Sequence, residues 1–301
     1  METIPWVEKY RPDCFNNIVL DNWNKKILLN MIERKDIQNL LFYGPPGTGK
    51  TTTIINIIKK YQNIHNECGK DLIKHLNASD ERGIDIIRNE ISVFVKSKNL
   101  FRKDSKKFVI LDEVDYMTKK AQQSLIILIN SYPNVNFCLI CNYISKIEKS
   151  LQDSFIKLRF NQLPKDDIII FLKEIIRKEN INISDKTIDN IQSYFESDIR
   201  SMINYLQSEN NSITNLIDND DLETIFQSLK KNTSVNEFIN YGYKISNKFN
   251  IDRKDLLKKI LLYIFYEKNI DVLNEIFIVN HENIAINLLY GMVLTKYKLL
   301  I

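Results

Sequence analysis

The chain has 301 residues, of which 44% are hydrophobic and 27% are charged, and its formal net charge at pH 7 is +4. Such values are typical of globular proteins with room for more than one domain, and they argue against a disordered chain. The modest positive charge excludes a uniformly basic nucleic-acid-binding protein, so any DNA surface must be a local patch.

The first part of the chain reads as an α/β domain. A predicted helix, Trp23–Ile32, precedes a region in which apolar runs alternate with helical patterns as far as about Phe160. This alternation predicts a mostly parallel sheet with helices on both faces. The predicted strands are Leu40–Tyr43, Ile73–Leu76, Phe108–Leu111 and Phe137–Cys141.

After Pro164 the pattern becomes helical. The polar stretch Ser208–Ser212 predicts a linker, and beyond it apolar residues recur on one face of a helix from Leu256 to Phe265. We therefore predict an α/β domain over residues 1–160, a helical lid over 161–209 and a C-terminal helical domain over 210–301. The predicted lid helices are Asp166–Lys178, Asp185–Glu196 and Ile199–Gln207.

The cysteines and the amino terminus indicate in which cellular compartment the protein is expected. Four cysteines fit a reducing compartment, and we expect neither a secretory leader nor a membrane-spanning helix, because no run of about 18 apolar residues occurs. Cys138 and Cys141 have the CxxC spacing of zinc sites, but they lie in an apolar run without a second pair. We favour a buried strand there.

The sequence GPPGTGKT lies between the first predicted strand and a helix, which is the setting of a phosphate-binding loop. Glycines let successive N–H groups face phosphate oxygens, and the helix N-terminus favours negative charge. We expect Lys50 to contact the β- and γ-phosphates of ATP and Thr51 to ligate Mg²⁺. The predicted ATP-binding residues here are Gly44, Pro45, Pro46, Gly47, Thr48, Gly49, Lys50, Thr51 and Thr52.

Polar residues at later strand and helix ends complete this predicted site. Asp112 follows an apolar run and is expected to hold Mg²⁺, while Glu113 would polarise the attacking water. Asn142 follows the next strand and can orient that water. Arg200, at the start of a lid helix, is expected to reach the phosphates, although a lone helical Arg is more often solvated.

These motifs resemble the small subunits of clamp loaders of the replication factor C type, within the AAA+ ATPases. Two further segments are specific to that family: Pro5–Pro12, which reads PWVEKYRP, and Leu76–Asp85, which reads LNASDERGID. The resemblance covers roughly the first two thirds of the chain. It implies an AAA+ parallel-sheet nucleotide domain with a helical lid, and a C-terminal all-α collar through which subunits assemble.

The resemblance also implies residue roles. Asn142 and Arg200 would be nucleotide sensors, and Arg88, Thr118 and Lys119, near two helix N-termini, would contact DNA phosphates without reading sequence. The stretch Ile91–Phe101 would touch the sliding clamp, with Phe94, Leu100 and Phe101 as candidate anchors, although we favour a core position for Phe94. The adenine pocket would include Val7, Tyr10, Arg11 and Pro12.

The chain departs from the family at one motif. Related subunits carry Ser-Arg-Cys, whose Arg reaches the neighbouring subunit's γ-phosphate, but Asp153, Ser154 and Phe155 stand here. One interpretation puts this chain at the open end of a subunit spiral, with no neighbour to serve. The other is that the neighbour's ATP site is inert or takes its Arg from elsewhere.

The leading prediction is an ATP- and Mg²⁺-dependent ATPase subunit of a clamp loader. Its expected partners are other loader subunits in a hetero-oligomer, most simply a pentamer, a PCNA-like sliding clamp and primer–template DNA, with no membrane. We expect a location in the nucleus or in the replication compartment of a large DNA virus. The alternatives are a non-hydrolysing scaffold subunit of the same assembly and a different AAA+ DNA-processing machine.

Overall fold

The computed structural model describes residues 4–67, 69–79, 86–97, 105–208, 217, 219–230, 234–249, 251–268, 272, 274–275, 278–279 and 288–293. The chain forms two compact units, residues 1–210 and 211–301. The boundary predicted between residues 160 and 161 lies inside the first unit and stays a prediction. Of the predicted linker, only Ser208 is among the described residues.

A five-stranded parallel sheet organises the first unit, with strand order β2-β3-β4-β1-β5. This sheet confirms the predicted α/β class and the four predicted strands. The fifth strand was not predicted, because its sequence Ile-Lys-Leu-Arg alternates apolar and charged residues at a half-exposed edge. The strands are β1 Leu40–Tyr43, β2 Ile73–Asn77, β3 Lys107–Asp112, β4 Val135–Cys141 and β5 Ile156–Arg159.

Side chains alternate between two cores, one on each face of the sheet. Leu41, Val109 and Leu139 belong to one core, whereas Phe42 and Ile140 belong to the other. Because both faces are covered by helices, the central strands β1, β3 and β4 are largely buried and mostly apolar. The helices of this part are α1 Trp6–Lys9, α2 Asn22–Glu33, α3 Lys50–Ile64, α4 Ser92–Lys96, α5 Lys119–Ser131 and α6 Lys149–Gln152.

The lid helices and the second unit also follow the sequence pattern. The lid contains α7 Lys165–Lys178, α8 Asp185–Phe195 and α9 Ile199–Ser208. The described helices of the second unit include α10 Asn219–Lys230, α11 Val235–Phe249 and α12 Arg253–Lys268. The predicted amphipathic stripe lies on α12, where Leu256, Leu257, Ile260, Leu261 and Ile264 are buried.

Candidate nucleotide-binding site

The loop between β1 and α3 has the backbone of a phosphate-binding loop. Gly44, Gly47 and Gly49 have φ values of 143°, 74° and 83°, a region that side chains with a Cβ rarely adopt. A Cβ on Gly44 would also lie 1.8 Å from the carbonyl oxygen of Phe160. The glycines thus allow the loop to curl tightly before α3 begins at Lys50.

Lys50 lies inside this curl. Its ammonium group donates hydrogen bonds to the carbonyl oxygens of Gly44, at 2.8 Å, and Pro45, at 2.7 Å. The side chain is buried, and this burial lowers its pKa to about 8, against the opposing influence of the Asp112 carboxylate. Burial outweighs the influence of the carboxylate, so an anion in the loop would further stabilise the charged form of Lys50.

Thr51 and Asp112 meet at the carboxyl edge of the sheet. The Thr51 hydroxyl donates to Asp112 Oδ2 over 2.7 Å, although 61 positions separate the two residues. A hydroxyl and a carboxylate so close together form a donor set that Mg²⁺ accepts. Glu113 follows in the left-handed region, at φ 56°, and its N–H donates to Asp112 Oδ1 over 2.9 Å. Non-glycine residues adopt this conformation rarely and often at functional sites.

Asp115 also lies at this edge, although its sequence context predicts no role for it. Its Oδ2 accepts a hydrogen bond from the backbone N–H of Tyr143, at 3.4 Å, which ties the acidic segment to the loop containing Asn142. Its Oδ1 is buried and has no hydrogen-bond partner among the described residues. Asn142 itself is half-buried directly after β4, which lies between β1 and β3 in the sheet. Both residues therefore stand at the edge that carries the loop.

One cavity joins three parts of the first unit. The amino-terminal arm, the phosphate loop and the lid all contribute, which brings together Tyr10, Gly47 and Arg200. Arg200 is otherwise exposed at the start of α9. The remaining lining residues that the sequence analysis named are Val7, Arg11, Pro12, Gly49 and Thr52.

The same cavity has apolar walls that the sequence analysis missed. They come from the segment after the arm and from two lid helices. In the sequence these residues belong to ordinary apolar patterns, which do not indicate a binding site. These lining residues are Ile18, Val19, Phe171, Ile199 and Ile203. Apolar walls around a few polar groups are usual for small-molecule sites.

Of the predicted DNA-contact residues, neither Thr118 nor Lys119 lines this cavity. Thr118 is exposed and caps α5, its hydroxyl accepting from the N–H of Ala121 at 3.3 Å, and Lys119 is exposed in the first turn. Arg88 belongs to a π-helical turn, Ile86–Ile91, but its side chain lies outside the described part of the chain, as do residues 80–85.

The proposed clamp-contact stretch is described only in part. Phe94 is half-buried and packs against one core of the sheet, and the Lys107 ammonium lies 5.0 Å from its ring centroid. That position agrees with the core interpretation favoured from the sequence. Leu100 and Phe101 lie outside the described residues.

The segment Asp153–Phe155, which stands in place of the expected Ser-Arg-Cys motif, lies at the opposite end of the strands from the phosphate loop. Asp153, Ser154 and Phe155 precede β5, whose first N–H donates to the carbonyl of Asn39, just before β1. They line a polar cavity at the amino ends of the strands. Asp153 forms an ion pair of 3.9 Å with Lys157, and Phe155 is buried.

Cys138 and Cys141 are buried in β4, as predicted. They belong to different cores, on opposite faces of the sheet, and therefore cannot share a metal ion. Burial raises the pKa of both thiols to about 12. Among the described residues, no group of three or more His, Cys, Asp or Glu is placed to hold a metal ion.

The comparisons with known proteins agree with this geometry. The family model described as ATPase family associated with various cellular activities (AAA) matches residues 40–162. The chain is 39% identical over 209 residues to a probable replication factor C subunit 5 of Dictyostelium discoideum, covering 69% of this chain and 59% of the relative. It is 39% identical over 211 residues to replication factor C subunit 5 of Homo sapiens, covering 70% and 61%.

The chain thus spans about three fifths of the length of the curated relatives it matches. Among solved structures, a RuvB mutant from Thermotoga maritima matches with a TM-score of 0.55 at 15% identity, covering 87% of this chain and 81% of that one. At that identity the likeness shows the fold alone. No helix in the described part of the chain combines the length and apolar character needed to cross a bilayer.

Proposed function

We propose that the chain is an ATPase subunit of a sliding-clamp loader, because the AAA ATPase family model matches residues 40–162 and the curated relatives named above are replication factor C subunits. In this proposal the chain binds ATP, helps to open a ring-shaped clamp and releases it on primer–template DNA after hydrolysis. Its partners are other loader subunits, most simply in a pentamer, and a PCNA-like clamp.

One observation carries this proposal. Lys50 inside the curled loop and the hydrogen-bonded pair Thr51 and Asp112 meet at the same edge of the sheet as Glu113. Together these residues offer a cation for phosphate, oxygen ligands for a metal ion and a carboxylate for water. That combination is what phosphoryl transfer to water requires.

The residues then take the following roles. The loop N–H groups and the Lys50 ammonium bind the phosphates, and Thr51 and Asp112 hold Mg²⁺, which supplies charge neutralisation of the phosphate oxygens when bound. Glu113 polarises the attacking water, and Asn142 orients it. Arg200 approaches the phosphates from the lid. Val7, Tyr10, Arg11 and Pro12 form the wall against which the adenine packs.

The same proposal includes a DNA-binding surface and a cellular location. Arg88, Thr118 and Lys119 contact the phosphates of primer–template DNA, which supplies affinity without sequence preference. The stretch Ile91–Phe101 contacts the clamp. The proposed location is the nucleus. Neither relative named above comes from a virus, so the viral compartment gains no support from them.

An arginine finger is an Arg that reaches the γ-phosphate of a neighbouring subunit, and its replacement by Ser154 helps to weigh the alternative functions. A closed ring of identical ATPase subunits needs a finger on every member, so Ser154 disfavours a homohexameric motor. A non-hydrolysing scaffold subunit would not need Glu113 beside the metal-binding pair. Turnover at this site is therefore what distinguishes the leading proposal from the scaffold.

The experiment is clamp loading onto primed circular DNA by the reconstituted assembly, with wild-type chain or Glu113→Gln. We expect Glu113→Gln to leave ATP binding intact and to slow loading by about a hundredfold or more, because the amide cannot polarise water. Glu148→Gln, a half-buried carboxylate elsewhere in the first unit, is the control. An assembly with Glu113→Gln that loads clamps at the wild-type rate would favour the scaffold.

A further inference from the structure

The amino-terminal arm, residues 5–12, is held against the lid by polar contacts across long sequence distances. Its contacts with lid residues fix it at both ends of α1. The backbone N–H of Trp6 donates to Gln207 Oε1, at 2.9 Å, on the last turn of α9. At the other end, the Lys9 ammonium is 2.5 Å from Glu179 Oε1, and the Tyr10 hydroxyl donates to the same oxygen.

Glu179 lies at a position where its own helix disfavours a negative charge. It is the C-terminal capping residue of α7, and the negative end of the helix dipole opposes a carboxylate there. The hydrogen bonds from Lys9 and Tyr10 nonetheless lower the pKa of this carboxyl below its usual value. Its side chain is only 17% exposed. The arm therefore supplies the compensation that α7 does not.

Cations also surround the Tyr10 ring. The Lys9 ammonium lies 5.3 Å from its centroid and the Lys178 ammonium 5.7 Å, while Trp6 packs edge-on at 6.3 Å. These contacts restrict the ring as well as the hydroxyl. The ring that lines the nucleotide cavity is thus oriented by Glu179 and its neighbours.

The far end of the arm is attached to the nucleotide domain. The side-chain amide of Asn56, buried on α3, donates to the carbonyl of Pro12 over 2.8 Å. Since α3 begins at Lys50, the arm spans from the helix of the phosphate loop to the lid. A movement of the lid would therefore displace Tyr10, which lines the cavity, through its hydrogen bond to Glu179.

We propose that Glu179 is a positioning residue for the nucleotide, which holds Tyr10 and Lys9 so that the arm and the lid close on adenine as one body. This inference rests on the proposed function, because it assumes that the cavity lined by Tyr10 and Gly47 receives ATP. Glu179 does not touch the nucleotide itself and acts only through the arm.

The test is a double-mutant cycle on the full chain, with ATP and ADP affinities measured by calorimetry. Tyr10→Phe removes only the hydroxyl and keeps the ring, whereas Glu179→Ala removes the acceptor. We expect each single change to weaken both affinities by about three- to tenfold, and the double change to cost less than the product of the two. Glu174→Ala, an exposed carboxylate on α7, should leave both affinities unchanged.

A spectroscopic readout separates positioning from mere support of the lid. The chain has two tryptophans, so Trp23→Phe leaves Trp6 as the sole reporter of the arm. In that background Glu179→Ala should increase quenching of Trp6 fluorescence by acrylamide, because the arm is released while the rest of the fold remains. Glu179→Gln, which keeps an acceptor oxygen, should restore most of the protection.

Additive losses in the cycle, unchanged affinities or unchanged Trp6 quenching would each overturn the inference. Lys50→Ala separates this outcome from failure of the proposed function. If Lys50→Ala strongly weakens nucleotide binding while the Tyr10 and Glu179 variants bind normally, only the positioning role is wrong. If Lys50→Ala also binds normally, the cavity is not the nucleotide site.

Discussion

The two edges of the five-stranded sheet differ in how far they keep the pattern of the family. At the carboxyl edge, the phosphate loop, Thr51 and Asp112 form the connected set expected for an ATP site. At the amino edge, Asp153 and Ser154 stand where the resemblance to clamp-loader subunits predicts the Ser and Arg of a Ser-Arg-Cys motif. Under the proposed function, a subunit that uses the carboxyl edge for its own nucleotide can lose the motif at the amino edge without losing its own site. The proposal therefore treats the two functions as separable within one fold.

The largest expected effect is at the carboxyl edge. Lys50→Ala should weaken ATP binding by the full chain on the order of a hundredfold, because the buried ammonium is the cation inside the loop and charged hydrogen bonds are costly to lose. Calorimetry measures the affinity. Lys59→Ala, an exposed position on the same helix, is the matched control. Equal affinities for the two variants would contradict the assignment of this edge.

A smaller effect is expected at Lys119 of the proposed DNA surface, a residue that does not line the nucleotide cavity. Lys119→Gln should weaken binding of the assembled loader to primer–template DNA a few-fold and reduce the slope of log affinity against log salt by about 0.9, the value for one phosphate contact. Fluorescence anisotropy across a salt series gives both quantities.

Lys149→Gln serves as the control for this change, because Lys149 is an exposed lysine in the first turn of another helix, α6. We expect it to leave the salt slope unchanged. Equal slopes for Lys119→Gln and Lys149→Gln would mean that the loader responds to overall charge rather than to a contact at Thr118 and Lys119.

The smallest expected effect is at the amino edge. If this edge faces the gap of an open spiral, Ser154→Arg should leave the steady-state ATPase rate of the assembled loader unchanged. If it faces a working ATP site of a neighbour, the rate there should rise, since an Arg finger contributes about 10³–10⁵ where it acts. The double change Asp153→Ser with Ser154→Arg prevents Asp153 from pairing with the new Arg. A rise that depends on the neighbour's loop lysine would reject the end position.

Much of the fold could be predicted because it depends on local pattern. The range predicted for β4, Phe137–Cys141, is apolar throughout, since helices cover both faces of the sheet. The apolar stripe of α12 has clear helical periodicity. The edge strand Ile156–Arg159 could not be found in this way. Half of its side chains face solvent, so its pattern is short and mixed.

The placement of Asp112 and Asn142 at the carboxyl ends of neighbouring strands could be predicted, because each residue lies at the end of an apolar run. Contacts between residues far apart in sequence could not be predicted where no motif marks the two partners. Glu179 contacts Tyr10 across 169 positions, and nothing in the sequence around α7 marks it. Asp198 is a similar case, because its carboxylate lies where a Cβ on Gly47 would be. Such contacts depend on how the lid packs, which periodicity does not specify.

The central claim is that this chain's own ATP site turns over in the assembled loader. The most direct measurement is the single-turnover burst of phosphate from the assembly on primed DNA, counted per loader. We expect Glu113→Gln to remove one phosphate from the burst while ATP occupancy stays the same, and Ser154→Arg to leave the burst unchanged. A burst that Glu113→Gln does not alter would mean that this ATP site does not turn over.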